Sequence, residues 1–132
     1  MFKDTLENGC VDLEEEDRET VSVITVAAPR CPGLTDDGLG FAEESRLGEF
    51  RDKIRLVLRC AAREGKTGLV LGALGCGAYR CPPELVAREM KGVLKEEEFR
   101  GWFERVVFAV YGKGPTGERN FGVFKEVFGG QG

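Results

Sequence analysis

Gly68-Leu69-Val70-Leu71-Gly72-Ala73-Leu74-Gly75-Cys76-Gly77-Ala78-Tyr79-Arg80-Cys81-Pro82-Pro83 is the stretch that decides the fold. Residues 68–74 are almost wholly apolar, the pattern of a buried strand. They run without pause into a turn in which Gly72, Gly75 and Gly77 leave the backbone free of side chains. Two prolines follow, and proline is pre-organised for the first turn of a helix. The order strand, bare turn, helix is the first part of a βα unit. Amides in such a turn can approach an anion, and the partial positive charge of the helix start favours the same spot. In an open α/β sheet these turns lie at the carboxyl ends of strands, where ligands bind. The plainer alternative is that the glycines only tighten a strand-to-helix turn.

Upstream, Leu47, Phe50, Ile54, Val57, Leu58 and Ala61 recur at spacings of three and four between about Glu43 and Glu64, and Gly65 supplies a stop, so a helix is predicted there. Before it, Val21-Ser22-Val23-Ile24-Thr25-Val26-Ala27-Ala28 reads as a strand ended by Pro29. The glycine-rich and aspartate-rich connection from Arg30 to Phe41 is long enough to be a binding loop. Downstream, Val86, Met90, Val93 and Leu94 continue the proline-started helix to about Lys95, with Phe99, Trp102 and Phe103 packed at its end. Residues 106–111 form a third strand, residues 112–117 a loop, and Asn120 is expected to cap a short helix that buries Phe121, Phe124 and Phe128. Strand and helix alternate three times, which predicts a three-layer α/β/α fold with a mainly parallel sheet of about three strands and three helices.

The 132 residues, 42% hydrophobic, suffice for one core. Residues 1–20 form an acidic, polar lead-in carrying Glu14-Glu15-Glu16-Asp17, and residues 21–132 form the folded lobe. Acidic residues outnumber basic ones by 23 to 19, and no basic run offers an exception, which argues against nucleic acid or an anionic membrane as partner. No apolar stretch has the roughly 20 residues a membrane span needs. Five irregularly spaced cysteines fit reduced thiols in a cytoplasmic or nuclear protein, with Cys60 and Cys76 as small buried hydrophobes. The absence of histidine removes the Ser-His and Cys-His nucleophile pairs.

Two phosphate motifs are imitated and fail. A dinucleotide fingerprint wants glycine at Arg80 and an acidic residue ending the next strand, which ends instead at Tyr111. Gly65-Lys66-Thr67 precedes a strand when a phosphate loop would follow one. Cys31, Cys76 and Cys81 lack the paired spacing of zinc sites, so neither metal nor cofactor is expected.

Val23-Ile24-Thr25-Val26-Ala27-Ala28-Pro29, then residues 69–80, then Val106-Val107-Phe108-Ala109-Val110 resemble, in that order, the macrodomains of the microbial poly(ADP-ribose) glycohydrolase family. The resemblance extends from Phe2 to Phe128, and the Gly-Cys-Gly-aromatic segment is its most specific part. It implies an ADP-ribose cleft in which Gly75, Cys76, Gly77, Ala78 and Tyr79, with Arg80 beside them, wrap the diphosphate. The Tyr79 ring would lie against a ribose, with Pro29 and Tyr111 toward the adenosine.

The sequence departs from the family in one respect. Its hydrolases carry a glycine-rich loop and a Gln-Glu-Glu element in their N-terminal half, and the resemblance here is to the C-terminal half. Glu14, Glu15 and Glu16 follow Leu13 and no glycine-rich loop, so they read as a solvated run and no catalytic residue is assigned. Glycosidic cleavage needs a placed carboxylate as general acid or base. The expectation is therefore a module that binds ADP-ribose or an ADP-ribosylated protein without hydrolysing it. The alternatives are a glycohydrolase completed by another chain and a non-binding structural paralogue. In the family fold a further strand lies between 21–28 and 68–74, so the resemblance implies that the strands pair differently, that the chain recruits an edge, or that it is only marginally folded; the favoured expectation is a homodimer or a partner chain that completes the sheet.

Overall fold

The computed structural model describes residues 3, 5 and 7–130. Met1, Phe2, Asp4 and Leu6, in the expected lead-in, lie outside the described residues. The described rest of the lead-in is exposed apart from partly buried Cys10 and Leu13. It has a bridge between Lys3 and Asp12, a turn over residues 7–10 and one turn of 3-10 helix at Glu15–Asp17.

Three helices and two strands make up the lobe: α1 (Glu44–Arg63), β1 (Gly68–Leu71), α2 (Pro83–Leu94), β2 (Arg105–Phe108) and α3 (Gly114–Phe128). The strands pair in parallel, Gly68 opposite Arg105 and Leu71 opposite Phe108. A parallel pair needs a crossover, and α2 supplies it. The α/β class and the parallel sheet follow the alternation of elements in the sequence.

The stripe read on α1 is its buried face, where Phe50, Ile54, Leu58 and Ala61 are buried. On α2, Val86, Met90 and Val93 are buried, with Leu85 and Ala87 beside them. In the strands Leu69, Leu71 and Phe108 pack against this core. Phe108 stacks on Phe128 with ring centroids 4.1 Å apart and meets Phe124 at 5.4 Å, so the end of β2 is clasped by α3. Alternation along a strand sends neighbouring side chains to opposite faces. Val70 is accordingly 75% exposed on the sheet's other face, which the described residues leave uncovered.

Ion pairs add a second link between helices. Arg51, Arg55 and Arg59, one turn apart on α1, each hold a glutamate: Glu89 of α2, Glu96 just beyond it and Glu98. Arg55 also reaches Asp52, and its fork on Glu96 holds that carboxyl below the usual carboxylate range.

Several expectations are corrected. Residues 21–28 are not a strand: no ladder joins them to β1, and Val21 and Val23 are exposed. A strand exists only through a neighbour's hydrogen bonds, and apolar β-branched sequence cannot supply one. Instead an apolar slot of about 400 Å³ separates Ile24, Thr25 and Val26 from Val70–Leu74, floored by Ile54, Val57, Leu58 and Met90. The sheet therefore has two strands where about three were expected. Asn120 does not cap α3 but lies within it, six residues past its start, and is buried. Trp102 and Phe121 are about half exposed where core was expected, whereas Phe99 and Phe124 are buried. Cys60 is only partly buried.

Candidate functional site

The turn after β1 has a defined hydrogen-bond pattern. Cys76 N–H donates to Ala73 O, Arg80 N–H to Gly77 O at 3.0 Å, and Cys81 N–H to Gly75 O at 2.9 Å. Cys31 N–H donates to Tyr79 O at 2.8 Å, which ties the turn to the loop after residue 28. The amides of Gly77, Ala78 and Tyr79 take no acceptor among the described residues. Three successive amide donors are left at the crest of the turn, and runs of successive amides are the kind of element from which anion-binding concavities are built.

Two of the glycines do different work. Gly75 has φ +77°, and a β-carbon there would stand 2.7 Å from both Ala28 Cβ and Cys81 Sγ. It is required by packing and by backbone geometry together. A β-carbon on Gly77 would meet nothing within 4 Å, because that residue faces open space. Arg80 completes the turn at φ 57°, an unusual conformation for a side-chain-bearing residue.

The open space is a cleft of about 430 Å³. Cys76, Gly77, Arg80 and Cys81 contribute one wall, Pro82 and Pro83 the start of α2, and Leu34 and Gly38 the rim. The long 30–41 connection thus borders the site. It is held by Leu34–Phe41 pairing and by Asp37, whose carboxylate accepts from Thr35 Oγ1 at 2.6 Å and from Leu39 N–H at 2.9 Å. These hydrogen bonds, Thr35 first, hold the Asp37 carboxyl below its ordinary range.

The opposite wall is Pro115, Thr116, Arg119 and Asn120 of α3, none of which sequence reasoning assigned to the site. The start of α3 is thus a second helix end at the cleft. Arg119 straddles Glu84 of α2 with Nη2 at 3.0 Å from both carboxylate oxygens. A signal for Asn120 existed, because a polar residue four positions before Phe124 lies on the helix's apolar stripe. Its partner, Cys76, is 44 residues away and nothing local points to it.

The expected site residues divide. Gly77, Cys76 and Arg80 line the cleft. Gly75 lies beneath it, in contact with the Ala28 and Cys81 side chains. Ala78 and Tyr79 carry crest amides, and Tyr79, 39% exposed as a residue, is outside the lining. Pro29 is buried with its carbonyl accepting from Cys81 Sγ at 3.3 Å, and Tyr111 is exposed beyond the start of α3; neither lines the cleft. The helix-end donors expected from α2 are fewer than a generic helix offers, since Pro82 and Pro83 have no N–H. The free donors of the turn are therefore mainly the crest amides.

Burial raises the Cys76 thiol to about 12 and pushes Cys81 up as well, so both are neutral thiols at physiological pH. Among the described residues no group of three His, Cys, Asp or Glu side chains is placed to hold a metal. Glu14 precedes the 3-10 turn and Glu15 and Glu16 lie in it, all three exposed. Among the described residues no carboxylate lines the cleft.

No protein-family model and no curated protein matches the chain. Solved structures do. Poly(ADP-ribose) glycohydrolase from Deinococcus radiodurans in complex with ADP-ribose superposes with a TM-score of 0.60 at 38% identity, over 65% of this chain and 34% of that one. The apo form of the same enzyme gives 0.59 at 38% identity over the same shares. A further ADP-ribose complex in another crystal form gives 0.58 at 35% identity, over 67% and 34%. The chain spans about a third of the length of that glycohydrolase. Over this part the fold is the macrodomain-like α/β fold of the bacterial poly(ADP-ribose) glycohydrolases.

Proposed function

We propose that this chain binds ADP-ribose, or an ADP-ribosylated protein, through the 75–80 turn and does not hydrolyse it on its own. The observation that carries the reading is the row of acceptor-free amides at Gly77, Ala78 and Tyr79 beside an open cleft. Backbone donors suit a pyrophosphate, whose charge they meet without a formal counter-charge. Arg80 and Arg119 at the same cleft supply cations in a protein whose net charge is −4. In this reading Tyr79 lies on a ribose and the exposed Tyr111, outside the cleft lining, marks the adenosine side, whereas buried Pro29 serves the turn through its carbonyl. The solved complexes of the similar glycohydrolase with ADP-ribose support this choice of ligand.

The absence of hydrolysis is argued from chemistry. Cleavage needs a carboxylate to protonate the leaving oxygen or to activate water. The cleft lining offers none, and Glu84 at its edge is engaged by Arg119.

A second reading, a glycohydrolase whose catalytic part comes from another chain, is favoured by the apolar slot between residues 24–26 and β1. A strand contributed by a second copy or a partner would pair both sides of that slot. Calorimetric titration with ADP-ribose tests the primary reading, with saturable heat at micromolar ligand expected and negligible heat contradicting it. Negligible heat would favour a structural paralogue. Incubation with poly(ADP-ribose) separates the first two readings, since free ADP-ribose released by this chain alone refutes the non-hydrolytic assignment.

A further inference from the structure

Asn120 is the only buried polar side chain of the core among the described residues, 8% exposed, and its Nδ2 donates to the carbonyl of Cys76 at 3.1 Å. The Cys76 carbonyl and the Gly77 N–H belong to one planar peptide unit, in which C=O and N–H point to opposite sides. Fixing the carbonyl therefore fixes the direction of the amide. The carbonyl is drawn toward α3, so the Gly77 N–H is turned away from the Asn120 amide group. We infer that Asn120 is the positioning residue that sets the 76–77 peptide plane and so presents the Gly77 amide to the diphosphate; the ligand in this inference rests on the reading proposed above.

Three observations bear on it. Gly77 has no side chain and open surroundings; its 77–78 peptide is held by Arg80 N–H on Gly77 O, but nothing at Gly77 itself prevents the preceding 76–77 peptide from rotating. No other donor to the Cys76 carbonyl occurs among the described residues, so without Asn120 a buried acceptor loses its partner and a flip of the peptide becomes favourable. Asn120 itself is held rigidly. Its helix packs through Phe124 and Phe128 onto Phe108, and Gly117, one turn earlier, fits so closely that a β-carbon would stand 2.8 Å from Tyr111 O. The orientation of the turn after β1 is thus set by a helix that follows β2, across 44 residues of sequence.

The test uses Asn120→Asp, which keeps the shape and replaces the donor by a carboxylate facing a carbonyl, and Asn120→Leu, which removes the donor. Ile54→Val, in the buried face of α1, serves as a control that loosens the core while leaving α3 and its asparagine unaltered. The readouts are the ¹⁵N–¹H resonance of Gly77 in the free protein and the ADP-ribose affinity. Both Asn120 variants are expected to move the Gly77 resonance and to weaken binding at least tenfold, while Ile54→Val lowers the melting temperature and leaves the affinity within about threefold. An unmoved Gly77 resonance overturns the inference whether or not ADP-ribose binds. A moved resonance with unchanged affinity overturns it as well. If the wild type fails to bind, the ligand reading is lost, and the Gly77 resonance alone then decides whether Asn120 sets the peptide. Should the aspartate or leucine variant fail to fold, Asn120→Ser, which keeps a shorter donor, gives the same two readouts.

Discussion

Gly75 and Cys81 are fitted so closely across the turn that a β-carbon on the glycine would lie 2.7 Å from the cysteine sulphur, while Cys81 N–H donates back to Gly75 O. The turn is closed at its base by this contact and open at its crest. Its two halves should respond differently to the same substitution.

Gly75→Ala combines a left-handed backbone with a clash against Ala28 and Cys81. It is expected to lower stability by about 2–4 kcal/mol, and ligand binding falls with the fold. Gly77→Ala meets open space and should change stability by less than about 0.5 kcal/mol. Gly77→Glu should keep the fold and abolish ADP-ribose binding, because a carboxylate is placed against the phosphates. Chemical denaturation and calorimetry on the three variants check the contrast.

Arg80 sits at φ 57°, where glycine is unstrained. Arg80→Gly should leave stability unchanged or raise it by up to about 1 kcal/mol, while removing a cation from the cleft and weakening ADP-ribose binding. Urea unfolding paired with a titration would show the two effects moving in opposite directions.

Cys76 is neutral in the folded protein until about pH 12, whereas an unfolded cysteine ionises near 9.0. Between those values the unfolded state holds fewer protons than the folded one, so stability falls as pH rises from about 9 to 12. Below pH 9 the thiol makes no such difference. Urea midpoints at pH 8 and 10.5 should show the loss, and Cys76→Ala should reduce it. At pH 8 a thiol reagent should modify exposed Cys31 rapidly and buried Cys76 and Cys81 slowly.

Glu96 works in the opposite direction. Its carboxyl is held below the ordinary value chiefly by the hydrogen bonds from Arg55, so its contribution is present above about pH 4.5 and is lost as pH falls through its folded value. Arg55→Ala should cost up to about 1 kcal/mol at pH 7 because both side chains are partly exposed, with the difference from wild type closing at lower pH. Denaturation at pH 7 and pH 3 measures it.

The three helices were legible in the sequence because each carries an apolar stripe, and β1 with its turn was legible because a run of apolar residues meets glycines and then prolines. What periodicity cannot read is pairing. Val21 to Ala28 has every local attribute of a strand and lacks the neighbour that would make it one. Asn120 has the composition of a helix cap, yet the helix begins at Gly114 and the asparagine serves Cys76 instead. Arg119 and Glu84 meet across 35 residues for the same kind of reason, since their approach is set by the packing of α2 on α3. The glycine-rich turn was readable, but the α3 residues that line the cleft with it were not.

The most direct test is a ¹⁵N–¹H spectrum of the wild-type protein titrated with ADP-ribose, with adenosine as a ligand that lacks the diphosphate. The amides of Gly77, Ala78 and Tyr79 should move with ADP-ribose, in proportion to its occupancy, and stay near their free positions with adenosine. If those three resonances remain still while others shift, the diphosphate is held elsewhere and the account of the turn is contradicted.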